Sequence, residues 1–356
     1  MTSNMSQFLK PGKLYFLGEK DLLTGEHTKY VKIGLVYGEK DVSARTKEHQ
    51  TGNPRAIFDY HTIEMMGVSK IETLMHKLYA KSRLIREWFI LDENQLKEAI
   101  QKAEELKMEM ESNAELLSKA ESASEAKPED LTDSRSPYSE ELSLLEKIKS
   151  LKLEYTQMEF EQSVLETKLK LAMKDHTGIE GILIAEPKKE SESLDTARLK
   201  KEHPDLHAKY IEPKEAFKRD FKIEMKSPTT PKLIGERYKQ FKEQEEQIPQ
   251  LYSQLNQTKL KSTDDLKSLH FQYLEVFGKV EAIEYEINMS TLILQGRCGY
   301  SKGIEEVCTY DFKEKTTNNF SKDKFKEDYP DLYQKYLTIG ETEVRYTVLD
   351  YRPYAG

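Results

Sequence analysis

Apolar and polar positions give this chain three textures. Up to about Leu91, short apolar runs alternate with turn residues. Leu14-Tyr15-Phe16-Leu17 and Tyr30-Val31-Lys32-Ile33-Gly34 predict two strands, and Ala56 to Ile63 a third. Between them Val42 to Gln50 is helical in character, stopped by Gly52-Asn53-Pro54. Ser69 to Lys81 predicts a second helix, with Ile71, Leu74, Met75 and Leu78 on one face. Glu87-Trp88-Phe89-Ile90-Leu91 closes the pattern as a last short strand. A small α+β domain over 1–95 follows, its mixed sheet flanked by helices.

Beyond it the texture changes. Glu93 to about Glu111 continues as a charged helix. Asn113 to Ser139 is acidic, rich in Ser and Ala, and poor in large apolar groups. A segment that buries so little surface does not offset its ordering entropy. The stretch 96–138 is therefore expected to be a charged helix and a disordered, flexible linker.

The third texture contains an internal repeat. Leu199-Lys200-Lys201-Glu202-His203-Pro204-Asp205-Leu206-His207-Ala208-Lys209-Tyr210 aligns without gaps with Phe325-Lys326-Glu327-Asp328-Tyr329-Pro330-Asp331-Leu332-Tyr333-Gln334-Lys335-Tyr336. Upstream, Gly178-Ile179-Glu180-Gly181-Ile182 answers Gly303-Ile304-Glu305-Glu306-Val307; downstream, Arg219 to Ile223 answers Arg345 to Leu349. Long helices, Ser139 to Lys174 and Thr263 to Gln295, precede the two copies. Each copy should comprise a long helix, a strand pair, a short helix and a closing strand, a unit of roughly eighty residues. The expected modules are 139–225 and 263–356, helix-rich and α+β. They are joined across 226–262 by a helix, Gly235 to Gln257, which Pro249 kinks or bounds.

Composition narrows the function classes. A chain of 356 residues suggests two or three domains. Its net charge of −8 argues against a surface that attracts nucleic acid everywhere, but leaves room for local basic grooves. Two cysteines, Cys298 and Cys308, exclude a disulfide framework and a cysteine-rich zinc site, and read as buried free thiols. Met1 to Pro11 lacks the apolar core of a signal peptide, and no run approaches a membrane span. A cytoplasmic location follows by elimination. No glycine-rich phosphate loop follows a strand, so ATP use is not indicated.

The candidate chemistry lies in the first texture. Lys13-Leu14-Tyr15 and Lys32-Ile33-Gly34 stand on successive strands. Arg45 and His49 follow, spaced to share a helical face, then Gln50-Thr51-Gly52-Asn53-Pro54. Glu72 and His76 repeat that spacing, and Glu87-Trp88-Phe89 ends the set. Singly, each has a structural reading: Tyr15 a strand-packing aromatic, Lys32 a solvated strand residue, Arg45 and His49 an exposed helix face, Glu72 a helix N-terminal acid. Glu87 either orders a site or pairs with Arg83 or Arg86.

As an ordered set, these residues resemble the GIY-YIG nuclease superfamily, in the branch named after a phage T-five open reading frame. The resemblance runs from Lys13 to Leu91. It departs from the superfamily pattern at Lys13, where the first signature has Gly, and at Lys32, where the second has Tyr; lysine at the second position is usual in this branch. The resemblance implies a metal-dependent DNA endonuclease, with RNA as another possible substrate. Glu72 would hold Mg²⁺ or Mn²⁺, and Arg45 a phosphate oxygen. Tyr15 would orient or deprotonate the attacking water, helped by a cation such as Lys32. His49 would be a further catalytic group, and His76 and Asn53 would contact substrate. The alternative is a non-catalytic adaptor that keeps the fold and binds DNA or protein.

The repeats resemble the C-terminal extension of YqaJ-type phage recombination exonucleases, in the glycine-turn strand pair, the Lys-x-x-x-Pro-Asp-Leu-x-x-Lys-Tyr helix and the Arg-bearing closing strand. This implies DNA processing in phage or mobile-element biology, defence included, and supplies no catalytic residues. Arg198 to Lys242 interleaves Lys and Arg with Tyr210, Phe217, Phe221 and Tyr238, either a DNA-backbone surface or core aromatics with a solvated rim. Two copies could equally form a partner-docking or dimerisation platform.

Overall fold

The computed structural model describes residues 9–354, apart from 39–40, 52, 189–191, 227 and 340–341, with the side chains of 128, 192, 214–219, 231, 312–317 and 339 outside the description. Gly52, read as part of a helix stop, and Phe217, read as part of a basic-aromatic surface, therefore lie outside it.

The N-terminal strands are β1 (Gly12–Lys20), β2 (His27–Tyr37), β3 (Ala56–Met65), β4 (Arg83–Ile85) and β5 (Trp88–Ile90). They form one sheet in the order β3-β1-β2-β5-β4. The sheet expected to be mixed is antiparallel at every pairing. Helix α1 (Val42–Gln50) carries the chain from β2 back to the far side of β1, so β3 never pairs with β2. Helix α2 (Val68–Leu78) follows β3 and buries Val68, Ile71, Leu74 and Met75 on the sheet.

The acidic stretch read as a flexible linker is helix as far as Glu125. Helix α3 runs unbroken over Glu93–Glu125, started by a capping box at Asp92 and Gln95. Leu117, Ala120 and Ala123 are buried. The scarcity of large apolar groups reflects close packing. A Cβ at Gly296 would stand 2.1 Å from the Leu116 carbonyl oxygen, so α3 and α9 (Asp264–Cys298) meet almost backbone to backbone. Met289 and Leu292 of α9 belong to the same core as Leu14, Phe16 and Ile33 of the sheet. The N-terminal sheet and the C-terminal region thus share one core, where sequence suggested a tether.

The two copies hold comparable elements, but neither closes its own sheets. The first copy holds α4 (Ser139–Met173), β6 (Gly178–Ile179), β7 (Leu183–Pro187), β8 (Glu192–Leu194), α5 (Thr196–Glu202), α6 (Pro204–Lys209) and β9 (Ile211–Ile223). After α7 (Thr230–Ile234) and α8 (Glu236–Glu245) the second holds α9, β10 (Gly303–Ile304), β11 (Cys308–Phe320), α10 (Lys322–Asp328), α11 (Pro330–Tyr336), β12 (Leu337–Ile339) and β13 (Val344–Val348). Pro204 and Pro330, each opening a helix, split the expected short helix in two. The connecting helix ends at Glu245, so Pro249 lies beyond it.

The closing strands are exchanged. β9 of the first copy pairs with β11 of the second, while β12 and β13 of the second pair with β8 and β7 of the first. Leu183 opposes Val348 in one ladder and Cys308 opposes Ile223 in the other, so the ladders match Ile223 with Val348, one residue from the sequence alignment of the closing strands. The short helices obey the same pseudo-two-fold. Tyr210 donates its hydroxyl to Asp328 and Tyr336 donates to Glu202. His203 stands edge-on to Tyr336 and Tyr329 edge-on to Tyr210, each at 6.1 Å.

Both cysteines are buried thiols. Cys308 occupies in the second copy the core position that Leu183 occupies in the first, which marks it as a small apolar filler. Tyr210 and Phe221 pack within cores, and Tyr238 packs near Phe160 and Phe241, so three of the four interleaved aromatics are packing groups. Among the described residues, no helix is long and apolar enough to cross a membrane.

Candidate active site

The candidate residues gather where the sheet is incomplete. β5 pairs with β2 only from Tyr30 to Lys32. Beyond that point Ile33 has no strand partner on its outer edge, and two flanking groups take its backbone. Its N–H donates to the Glu87 carbonyl at 3.0 Å, and its carbonyl accepts from His76 Nε2 at 2.9 Å. Glu87 and α2 are thereby fixed against the edge of β2.

Tyr15 lies opposite Gly34 across the β1–β2 ladder. A Cβ at Gly34 would sit 2.5 Å from the Tyr15 hydroxyl, so the ring occupies the space that glycine vacates. Tyr15 is buried. Burial first, then the Glu87 carboxylate, push its phenol up to about 12, against the pull of Arg45. Lys32 is buried beside the Trp88 ring and donates Nζ to Glu87. The cation expected to activate Tyr15 is thus held by an acid, and Arg45 on α1 acts on the phenol instead.

Arg45 is half-exposed and bonds Glu48 at 2.7 Å. On the same helix, His49 has a buried Nε2 with no hydrogen-bond partner among the described residues. Burial first, and Lys32 next, hold its imidazole below the ordinary histidine range, so the ring is neutral at pH 7. Glu72 projects from the first half of α2. Burial and then Glu87 raise its carboxyl to about 7, with Lys32 and Arg83 opposing. Glu87 itself is held below the usual carboxylate range: burial works to raise it, and the bond and charge of Lys32 prevail.

Electrostatic coupling through Glu87 thus links Tyr15, Lys32, Arg45, His49, Glu72 and His76. Asn53 stands apart. Its amide donates to Glu19 at 2.7 Å and its oxygen accepts from the Arg55 N–H, bracing the end of β1. His76 spends Nε2 on the Ile33 carbonyl and packs its ring by Phe89, which makes it first an anchor of α2. Glu87 is the group that sequence left ambiguous. It pairs with Lys32, while Arg83 pairs with Asp350. The Lys32–Trp88 cross-strand register explains the choice, and no local pattern announces it.

No group of three or more His, Cys, Asp or Glu that could hold a metal gathers among the described residues. One carboxylate can nevertheless suffice for Mg²⁺, which keeps several waters. Glu72 fits that use: its charged form is disfavoured by burial and by a second acid, a cost that a cation would relieve.

Residues 12–104 of the 356 match the model of the T5orf172 domain, a nuclease-like domain related to GIY-YIG. No curated protein and no solved structure matches the chain. The resemblance of the C-terminal repeats to the YqaJ extension finds no support.

Proposed function

We propose that this protein is a divalent-metal-dependent endonuclease that hydrolyses phosphodiester bonds in DNA at the cluster of Tyr15, Arg45, His49 and Glu72. The observation that carries the reading is the convergence of Tyr15, Lys32, Arg45, His49 and Glu72 around Glu87, within the segment that matches a nuclease-like domain.

Hydrolysis of a phosphodiester needs a positioned water, charge stabilisation on the phosphoryl oxygens and a route for a proton. Arg45 offers its planar guanidinium to a phosphate oxygen, giving up Glu48 to do so. Ionising Tyr15 at pH 7 from about 12 would cost about 7 kcal/mol, so its role is to donate a hydrogen bond that orients water or phosphate. His49, neutral and with Nε2 unpartnered among the described residues, is the better proton acceptor. Glu72 would hold Mg²⁺ or Mn²⁺, which supplies Lewis-acid stabilisation of the phosphate when bound. Lys32 holds Glu87 in place and adds positive charge to the candidate site.

Supercoiled plasmid incubated with Mg²⁺ tests the assignment: wild type nicks it, and Glu72→Ala does not while still binding DNA. Equal behaviour of the two proteins, independent of metal, removes the enzyme reading. Labelled DNA and RNA compared side by side decide the substrate class. A second reading, a non-catalytic adaptor, draws on the raised Tyr15 phenol and on a Lys32 already paired. In either reading the repeat module selects DNA or a partner, a second copy included.

A further inference from the structure

The C-terminal segment does more than finish a strand. Because β13 is exchanged into the first copy's sheet, the residues after it run back toward the nuclease-like domain. Leu349 donates its N–H to the Ile182 carbonyl, and its own carbonyl takes Nε2 of the fully buried His270 at 2.7 Å. Tyr354 meets the other nitrogen of that ring at 2.9 Å. The segment is therefore fixed on α9 and on the first copy. From there the Arg352 N–H donates to the Arg83 carbonyl at 2.7 Å, and Asp350 accepts Nη1 of Arg83 at 2.9 Å.

Arg83 begins β4, and its Nε donates to the carbonyl of Arg86. Arg86 has φ 50°, a left-handed conformation that side-chain-bearing residues avoid. The turn between β4 and β5 thus holds a strained residue at a point where no glycine relieves it. The residue immediately after it is Glu87, whose carboxylate meets Lys32 and whose carbonyl holds Ile33. A bond across the turn, pinned from outside by Asp350, sets where Glu87 stands.

We infer that Arg83 is a positioning residue for the candidate site: locked by Asp350 of the C-terminal segment, it secures the left-handed turn at Arg86 that delivers Glu87 to Lys32. The activity arm of this inference rests on the nuclease reading; the positional arm does not. It makes the C-terminal module a determinant of site geometry as well as of any binding the module performs.

The test uses the full chain and a probe that the sequence provides. Trp88 is the single tryptophan, next to Glu87 and beside Lys32. Its emission reports this turn without interference. Asp350→Ala and Arg83→Ala should shift Trp88 emission and raise its quenching by iodide. They should lower kcat for plasmid nicking at least fivefold, with KM changed less than twofold. Arg86→Gly alone should leave both readouts near wild type, because glycine adopts the left-handed conformation freely. Arg83→Ala combined with Arg86→Gly should regain most of the lost kcat and the native emission, since the turn then needs no external bond. A merely structural role for Arg83 predicts no such rescue. Should Arg83→Ala fail to fold, Asp350→Asn and Arg83→Lys carry the same comparison. Native emission in Asp350→Ala and Arg83→Ala, or no recovery in the double variant, overturns the inference. A wild-type protein that does not nick defeats the nuclease reading instead, and leaves the emission arm to decide this one.

Discussion

At Glu72, stability and function are set against each other. Its carboxyl is raised from 4.5 to about 7 by burial and then by Glu87, with Lys32 and Arg83 working the other way. Below pH 4.5 the group is protonated in the folded and the unfolded chain alike and favours neither. As pH rises from 4.5 toward 7, the unfolded chain releases its proton while the folded chain retains it, so stability falls. Above about 7 the loss is complete; the interval at about 1.4 kcal/mol per pH unit amounts to about 3 kcal/mol. Glu72→Gln keeps the shape and removes the charge. Near pH 8 the variant should exceed wild type by up to about 3 kcal/mol, which for a chain of this length is about 4 °C in Tm. Near pH 4 the two should coincide. Mg²⁺ should stabilise wild type by mass action and leave Glu72→Gln unmoved, narrowing the gap. Scanning calorimetry across pH, with and without Mg²⁺, measures all of this. A variant less stable than wild type at pH 8, or a gain that is equal at both pH values, would mean that Glu72 is a satisfied structural charge and refute the argument.

Other consequences are as direct. Gly34→Ala should displace the Tyr15 ring, costing about 1–3 kcal/mol in a urea titration and abolishing nicking, because its Cβ would stand 2.5 Å from the hydroxyl. Asn53→Ala should cost about 1–3 kcal/mol by leaving the buried Glu19 short of a donor, while kcat for nicking stays within twofold of wild type. Gly296→Ala should separate α3 from α9 and lower Tm, with the clash against the Leu116 carbonyl as the cause; an unchanged Tm would show that the two helices can part freely. The fragment 139–225 alone should not unfold cooperatively, because β8 and β9 lose their partners and β7 keeps only the two-residue β6; mixing it with 263–356 should restore a transition in circular dichroism.

Much of the nuclease-like domain was legible because its signals are local. The apolar runs at Leu14, Val31 and Ile57 mark strands, and the spacing of Ile71, Leu74, Met75 and Leu78 marks the buried face of α2. Arg45 with His49, and Glu72 with His76, share faces because a helix brings fourth neighbours together. Strand β4 was missed, being three residues long and defined by its pairing with β5. The acidic stretch after Asn113 was misread because composition counts large apolar groups, whereas Ala120 and Ala123 are buried by close approach to a neighbouring helix.

By itself the sequence determined the periodicities, the duplicated unit and the roster of candidate side chains, all encoded in spacings that repeat within a few turns or strands. The tertiary structure alone decided which partner each edge accepts. It sent β9 and β13 each into the sheet of the other copy, turned Glu87 to Lys32 rather than to Arg83, and left Asn53 apart from the candidate site. Residues far apart in the chain meet through backbone pairing and shared burial, and a linear pattern states that a face is apolar without stating what will cover it.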